Sequence, residues 1–300
     1  MTPDGSVATR PPTALPLVAA VACGALVAVQ QRINGDLGRS LHDPLLAAVV
    51  SFGTGLLLMC VLVVRRLDVL RRLRQVPWWW CVGGLGGATL VAVGATAAPE
   101  IGIALLTVGL VSGATVAALA VDRVGLAPGG RRPLTTYRLV GAGLCLAAIA
   151  LSAREGLRAA SPVLLLLVVA AGGLISVQQA LNGRVRGVTD ATVATFVNFT
   201  VGTSALLLIL GLHGIFGQTR ADAWPSNWWL YLGGPIGTVF IAVAALVVGS
   251  LGVLRFGLAA TAGQLVGGVL LDLDRGVSLT TVAATGLTLA AVAVSGRGQR

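Results

Sequence analysis

Amide side chains interrupt two apolar stretches of the sequence and are the first candidates for chemistry. The same pattern occurs twice, at Gln30, Gln31 and Asn34 and at Gln178, Gln179 and Asn182. On a helix, residues three or four positions apart share a face, and an amide both donates and accepts hydrogen bonds. Within an apolar helix, such a face either grips or gates a polar molecule or locks neighbouring helices together. Both interpretations stay open, because a duplicated segment would inherit either role.

Four other polar residues interrupt apolar runs, and each has two interpretations. Gln264 and Asn198 lie nearer the middle of their runs, which predicts either a central binding site or a structural hydrogen bond. Glu100 follows Pro99 and opens a run, where a carboxylate either caps a helix through its dipole or titrates to couple an ion. Arg255 either extends its guanidinium to an interface or binds an anionic molecule.

Patterns typical of catalysis and cofactor binding are absent from the sequence. The two histidines, His42 and His213, lie in or beside predicted loops, and the four cysteines show no CxxC spacing. There is no Walker A motif, so the chain is not predicted to bind ATP. No set of Asp, Glu, His and Cys has the spacing of a metal or nucleophile site. We therefore expect neither an enzyme nor a bound cofactor or metal.

The composition indicates a chain that resides in a lipid bilayer. Of the 300 residues, 56% are hydrophobic and 11% are charged, and the mean hydropathy is +0.90. A soluble domain has about 25% charged residues, so a soluble fold is excluded, and such high hydrophobicity also excludes disorder. The 41 glycines are typical of close helix contacts in lipid. The net charge is +10, and all 21 basic residues are arginines; arginines in short loops between apolar runs indicate membrane orientation rather than nucleic-acid binding.

Ten apolar runs approach the ~20 residues that a spanning helix needs. They are 14–34, 44–64, 79–98, 101–121, 137–153, 162–182, 191–212, 229–249, 252–271 and 277–295. With ten crossings, 15 of the 21 arginines lie on the side of both termini, many of them in the loops 65–77 and 122–138. The positive-inside rule then predicts cytoplasmic termini. Asp122 and Asp272 fall at the ends of runs, where we expect them to stay solvated.

The two halves of the sequence repeat each other at an offset close to 150 residues. Besides the amides, the repeated landmarks are Phe52-x-x-Gly55 with Phe199-x-x-Gly202, and Trp78-Trp79 with Trp228-Trp229. Each half contains five predicted helices, and this odd number predicts that the second half enters the membrane upside down. The loop 65–77 has five arginines, whereas its counterpart 213–227 has only Arg220, as inversion requires. Glycines at GxxxG spacing, such as Gly83 and Gly87, predict close helix packing.

Four segments carry a resemblance to a known family: Val-Gln-Gln-x-x-Asn-Gly, Phe-x-x-Gly, Trp-Trp-x-x-x-Gly-Gly and the string Gly257–Asp272. Together they resemble the drug/metabolite transporter (DMT) superfamily and, within it, the YdcZ-type family of inner-membrane exporters. The resemblance covers residues 15–295 and implies export of a small molecule. Family members are often single five-helix units that pair, so this chain resembles two such units fused. The small multidrug resistance relatives carry a glutamate in the first helix, and this chain has glutamines there instead.

The sequence thus predicts an all-α integral membrane protein, with ten transmembrane helices in two inverted five-helix repeats of the DMT/EamA-like kind. The predicted segments are a tail at 1–13, repeats at 14–153 and 162–295, a linker at 154–161 and a tail at 296–300. The predicted function is secondary transport by alternating access, in the export direction, across the inner membrane. A non-transporting membrane partner of the same fold is the alternative. The expected partners are the bilayer, a small-molecule substrate and a coupling ion, H⁺ or Na⁺, with a monomer favoured over a homodimer.

Overall fold

The structure, a computed structural model, describes residues 14–128, 130–131, 133–159, 162–216, 224–240, 243 and 253–297. Every regular element in these ranges is helical. The long helices are α1 (Ala14–Leu41), α2 (Pro44–Val63), α4 (Gly84–Val124), α5 (Thr136–Ala159), α6 (Pro162–Val188), α7 (Ala191–Phe216), α9 (Val253–Leu271) and α10 (Leu279–Arg297). α3 (Leu67–Leu70) is a short helix between 3₁₀ turns, and the described part of α8 is 233–240.

Several of these helices are long and apolar enough to cross a membrane. Within the described residues they are Leu15–Leu41, Pro44–Gln75, Trp78–Val124, Pro162–Val188 and Ala191–Leu212. Thr136–Ala148 and Leu279–Val294 are also apolar but shorter. An all-helical chain with such segments agrees with the prediction of an integral membrane protein.

α4 reverses direction in its middle. Gly102 has φ 78° and ψ 165°, which are not helical values. Both parts of α4 contact the same stretch of α6, because a Cβ placed on Gly86 would lie 2.8 Å from the carbonyl oxygen of Leu174, and one on Gly173 would lie 3.4 Å from the Cβ of Ala117. In one straight helix, residues 86 and 117 would be about 46 Å apart. The first segment of α4 (84–101) and the second segment (103–124) therefore fold back on each other.

This reversal is the predicted connection between the runs 79–98 and 101–121, but it lies further along the chain. The sequence predicts the turn at Pro99 and Glu100, whereas the helix continues through both and breaks at Gly102. Glycine suits the break because a positive φ is strained for residues with a Cβ. Glu100 therefore ends the first segment of α4 and does not open the second, so the capping role predicted for it is wrong.

Aspartates begin the second helix of each half. The carboxylate of Asp43 accepts hydrogen bonds from the backbone N–H groups of Leu45 and Leu46, at 2.9 and 3.0 Å. Asp190 accepts one from the N–H of Val193 at 2.8 Å. These N-caps satisfy backbone N–H groups that a helix terminus leaves free. Because the two aspartates occupy equivalent positions in the two repeats, α2 and α7 begin at equivalent positions.

Several predicted boundaries change because a polar residue ends an apolar run without ending a helix. α1 continues to Leu41 and α6 to Val188, so the amides lie inside these helices. α5 continues to Ala159, which makes most of the predicted linker helical. The run predicted at 229–249 begins with a 3₁₀ turn, Trp228–Tyr231, followed by α8. The tail 1–13, most of the predicted run beyond residue 240 and residues 298–300 lie outside the described residues.

Candidate functional site

In each half of the chain, one helix packs against two helical segments of the other half. α6 contacts both segments of α4, and α1 contacts α8 and α9. A Cβ placed on Gly113 would collide with the carbonyl oxygen of Val169, and one on Gly263 would collide with that of Val21. Gly113 and Gly263 are repeat-related, and so are Val21 and Val169. The backbones therefore approach each other at glycine, which confirms the close packing predicted from the sequence.

The second-half polar cluster consists of Gln178 and Asn182 on α6 and Asn198 on α7. The Nε2 of Gln178 donates a hydrogen bond to the Oδ1 of Asn198 at 2.9 Å, and the Nδ2 of Asn182 donates to the same oxygen at 3.0 Å. α4 covers the cluster with glycine, because a Cβ on Gly87 would lie 3.2 Å from the Nε2 of Gln178. Asn198 thus joins two helices beside a glycine surface.

The first-half polar cluster consists of Gln31 and Asn34 on α1 and Ser51 on α2. These side chains are 1%, 0% and 2% exposed, respectively. The Oε1 of Gln31, both side-chain polar atoms of Asn34 and the Oγ of Ser51 have no hydrogen-bond partner among the described residues. A buried polar atom without a partner costs about 1–3 kcal/mol. This cluster is therefore a strong candidate for contact with a polar molecule.

The two clusters are related by the sequence repeat. The repeat-related pairs are Asn34 with Asn182, Ser51 with Asn198, and Gly233 with Gly83. Their contacts correspond, since a Cβ on Gly233 would collide with the Oδ1 of Asn34 and a Cβ on Gly83 would lie 2.8 Å from the Oδ1 of Asn182. The sequence analysis missed Ser51, because serine and asparagine differ in type. The offset of 147 that Ser51 and Asn198 share with Phe52 and Phe199 is the signal that identifies it.

The remaining polar residues singled out in the sequence are more dispersed. Gln30 is half-buried, and its Nε2 would lie 3.0 Å from a Cβ on Gly237. Gln179 is exposed, and Gln264 is half-buried on α9. Hydrogen bonds among the described residues join Asn198 to the second-half cluster. The backbone of Arg255 belongs to α9, but its side chain lies outside what the structure describes.

A charged cluster lies where α1, the reversal of α4 and the turn after α9 meet. Arg32 faces three carboxylates, 3.4 Å from Asp36, 3.5 Å from Asp272 and 3.5 Å from Asp274. Asp272 is only 6% exposed, and its Oδ2 accepts a hydrogen bond from the backbone N–H of Ala104 at 2.7 Å. The expectation that Asp272 stays solvated is therefore wrong, since it caps the second segment of α4 from the turn after α9.

The charged cluster forms hydrogen bonds with both segments of α4, on either side of the reversal. Asp272 caps the start of the second segment, and the Nη1 of Arg275 donates to the carbonyl oxygen of Ala98, 3.3 Å away, near the end of the first. An anion at a helix N-terminus and a cation at a C-terminus both suit the helix dipole. A cavity of about 430 Å³ opens beside these residues, and Arg39 and Glu100 also line it.

Asp122, the repeat counterpart of Asp272, is also paired rather than solvated. It forms an ion pair and hydrogen bond with Arg138 near the start of α5. Arg138 is 5% exposed, so the charge of each group is compensated mainly by the other. The two repeat-related aspartates thus contact different partners in this structure.

In each half of the chain, apolar helices of membrane length enclose a polar cluster. These features define a polytopic membrane protein with two related polar clusters in its interior. The family model described as "Putative inner membrane exporter, YdcZ" matches residues 15–151 and again residues 163–296. The chain belongs to this family of the DMT superfamily, and each half contains one family unit. This confirms the resemblance seen in the sequence. A family of membrane exporters is not a class of enzymes.

The overall fold is shared with a solved protein. A crystal structure of a protein with 22% sequence identity covers 95% of this chain and 96% of that chain, with a TM-score of 0.56. At this identity the likeness shows the fold alone. No curated protein matches the sequence.

Proposed function

We propose that this protein is a secondary transporter that exports a small molecule across the inner membrane by alternating access. The observation that carries the proposal is the pair of repeat-related polar clusters within apolar, membrane-length helices. Polar groups in a bilayer are costly and mark substrate pathways. The family description, an inner membrane exporter, supports transport in general and a position in the inner membrane.

The two halves are proposed to be inverted repeats. The C-terminal part of α1 contacts the end of the first α4 segment, since a Cβ on Gly35 would lie 2.9 Å from the Cβ of Ala98. The C-terminal part of α6 instead contacts the beginning of that segment, since a Cβ on Gly86 would lie 3.0 Å from the Cβ of Gln178. Repeat-related helices that point in opposite directions along one segment support a pseudo-two-fold axis in the membrane plane.

The same arrangement supports the proposal of ten crossings. The segment Trp78–Val124 has 47 residues and reverses at Gly102, which supports two crossings within it. Ten crossings place both termini on one side, and the exposed arginines of 65–74 favour the cytoplasm for that side. The bilayer and a small-molecule substrate are then the partners. Because both repeats belong to one chain, a monomer contains a complete pair of repeats.

The difference between the two polar clusters supports a role as gates. In the second-half cluster Asn198 accepts hydrogen bonds from Gln178 and Asn182, and one buried atom, the Oε1 of Gln178, has no partner among the described residues. In the first-half cluster four buried polar atoms have none. Repeat-related elements in unequal states are what alternating access needs. Gln30, Gln31, Asn34 and Ser51 are proposed to gate one side, and Gln178, Gln179, Asn182 and Asn198 the other. Gln264 and Arg255 on α9 are proposed to face the substrate between them.

Topology can be tested by labelling cysteines in a variant whose native cysteines are replaced. A membrane-impermeant maleimide added to intact cells should label Ala221→Cys but not Arg71→Cys, because inversion places the two repeat-related loops on opposite sides. Permeabilised cells should show labelling of both, which controls for reactivity. Equal labelling of the two positions in intact cells would contradict the inverted repeat.

Transport can be tested with purified protein in proteoliposomes loaded with a mixture of small metabolites, with efflux measured by mass spectrometry. Gln31→Met removes the buried amide and should slow efflux roughly fivefold, as loss of about 1 kcal/mol predicts. Gln75→Met is the matched control, since Gln75 is an exposed glutamine outside both proposed gates, and it should keep wild-type flux. If no compound leaves faster than from protein-free vesicles, the chain is better explained as a non-transporting partner.

A further inference from the structure

A cluster of exposed arginines follows α2. In residues 64–74, here called the arginine segment, five of the eleven residues are arginines and Asp68 is the single acidic residue. The exposed arginines are Arg65, Arg66, Arg71, Arg72 and Arg74. Arg66 lies 4.0 Å from Asp190, and no ion pair with the other four is described among the residues that the structure shows. The described part of the protein therefore leaves most of this positive charge uncompensated.

The arginine segment lies where two lipid-facing helix surfaces end. Leu57 and Val61 on α2 precede it and are exposed, and so is Leu85 at the start of α4. Exposed apolar side chains on helices of membrane length are expected to contact the hydrocarbon of the bilayer. Trp78 and Trp79 follow the segment and are also exposed, as is typical of tryptophans at the level of the lipid headgroups. The arginines are therefore close to the headgroups.

The backbone of the arginine segment places two guanidinium groups on one face. Arg71–Gln75 is a 3₁₀ turn, in which side chains three positions apart are eclipsed. Arg71 and Arg74 therefore extend in the same direction from the turn. Leu70 and Leu73 precede these arginines by one position each and are half-buried, and the turn contacts α6. Packing on the apolar side thus fixes the turn and leaves Arg71 and Arg74 directed outward.

Two guanidinium groups on one face suit the phosphate of a lipid headgroup. A guanidinium presents planar N–H donors that match phosphate oxygens, and each basic residue near an anionic lipid surface strengthens association about fivefold. A soluble polyanion would also be attracted by the charge, but it has no apolar part to contact the exposed leucines, valine and tryptophans beside the arginines. A phospholipid has both parts.

We propose that the arginine segment is a binding site for an anionic phospholipid. Arg71 and Arg74 hold the headgroup phosphate, and the acyl chains lie against the exposed apolar side chains of α2 and the start of α4. The equivalent loop of the second half, 213–227, contains Arg220 as its single arginine, so the site belongs to the first half. Lipid binding does not depend on the proposed transport function, and it is measured without flux.

Brominated lipids can test the site in a bilayer, because bromine on an acyl chain quenches the fluorescence of a nearby tryptophan. The first reporter keeps the tryptophans at 78–80 and carries Trp224→Phe, Trp228→Phe and Trp229→Phe. The second reporter keeps Trp228 and Trp229 and carries phenylalanine at the other four positions. Trp78 and Trp228 are repeat-related and are 80% and 71% exposed, so the second reporter is a matched control with similar access to lipid.

The measurement uses proteoliposomes of phosphatidylcholine that contain a small share of one brominated lipid. Brominated phosphatidylglycerol should quench the first reporter more strongly than brominated phosphatidylcholine does, and it should show no such preference at the second reporter. Arg71→Gln/Arg74→Gln should weaken the association of phosphatidylglycerol at the first reporter roughly 25-fold, about fivefold for each arginine. Both side chains are exposed, so this double variant should fold normally.

A second double variant controls for net charge. Arg39→Gln/Arg275→Gln removes the same charge at the opposite end of the first segment of α4, where Arg275 contacts Ala98, and it should keep the preference. The proposal is overturned if this control loses the preference, if Arg71→Gln/Arg74→Gln retains it, or if both reporters show it equally. Equal quenching of the first reporter by the two brominated lipids would also overturn it, as expected if the arginines instead bind a soluble polyanion.

Discussion

Replacing Gly24 by alanine should lower the melting temperature by roughly 6 to 12 °C, the shift expected for about 3 kcal/mol in a chain of this size. A Cβ on Gly24 would collide with the carbonyl oxygen of Ala260 and lie 2.9 Å from its Cα. A facing backbone cannot rotate away as a side chain could, so α1 and α9 must move apart and lose the contacts along their length. Thermal unfolding in detergent, followed by intrinsic tryptophan fluorescence, measures the loss.

A glycine on α10 provides the matched control for this substitution. A Cβ on Gly286 would have no neighbour within 4 Å, so Gly286→Ala should be neutral or stabilise by up to about 1 kcal/mol through higher helix propensity. Gly172, the repeat counterpart of Gly24, faces the carbonyl oxygen of Leu110 in the same way. Gly172→Ala should therefore lower the melting temperature by a similar amount. Similar melting temperatures for Gly24→Ala and Gly286→Ala would show that α1 and α9 are not in such close contact.

Replacing Arg32 by glutamine should destabilise the protein by about 2–3 kcal/mol, and a second change, Asp272→Asn, should restore most of the loss. Removing one partner of a buried ion pair leaves the other charge uncompensated, which costs about 3–5 kcal/mol when both are fully buried. The lower value expected here reflects the 24% exposure of the Arg32 side chain, against 8% for Asp272. Neutralising both partners removes the unpaired charge, so a double-mutant cycle measures the coupling directly.

Arg39 provides the control for loss of a positive charge in the same region. Its side chain is 54% exposed, and its contact with Asp36 is 3.7 Å long. Exposed pairs contribute about 0–1 kcal/mol, so Arg39→Gln should leave the unfolding free energy nearly unchanged. A double variant that is less stable than Arg32→Gln alone would contradict the pairing of Arg32 with Asp272.

The polar clusters show which parts of the candidate site could be predicted from the sequence. The amides at Gln31, Asn34, Gln178 and Asn182 are recognisable because polar side chains in apolar runs stand out by type and by spacing. Asn198 is recognisable by type, but its partners are not, since its hydrogen bonds come from a different helix. Ser51 is found only through the repeat offset, because a serine in an apolar helix commonly bonds to its own backbone.

For Glu100 and Asp272, in contrast, the roles predicted from the sequence were wrong. From the sequence, Glu100 after Pro99 is the carboxylate expected to cap a helix, because it stands beside the predicted turn. In the structure Glu100 is exposed, and the cap on Ala104 comes from Asp272, which is 168 positions away in the chain. Local sequence patterns carry no information about a capping group that lies far away in the chain.

The sequence by itself determined the membrane class, the family, the duplication and the positions of the amides. These properties depend on composition, on the order of residues and on spacing along one helix, all of which can be read without a fold. Only the tertiary structure decided that α4 reverses at Gly102 and that Asp272 is buried against Arg32. It also decided that Asn198 accepts two hydrogen bonds within the second-half cluster, whereas no such bond is described within the first-half cluster. These properties depend on which helices touch, and in a chain of similar apolar helices the hydrophobic pattern is nearly the same on every face. Contacts at glycine backbones and between few charged groups then select the arrangement.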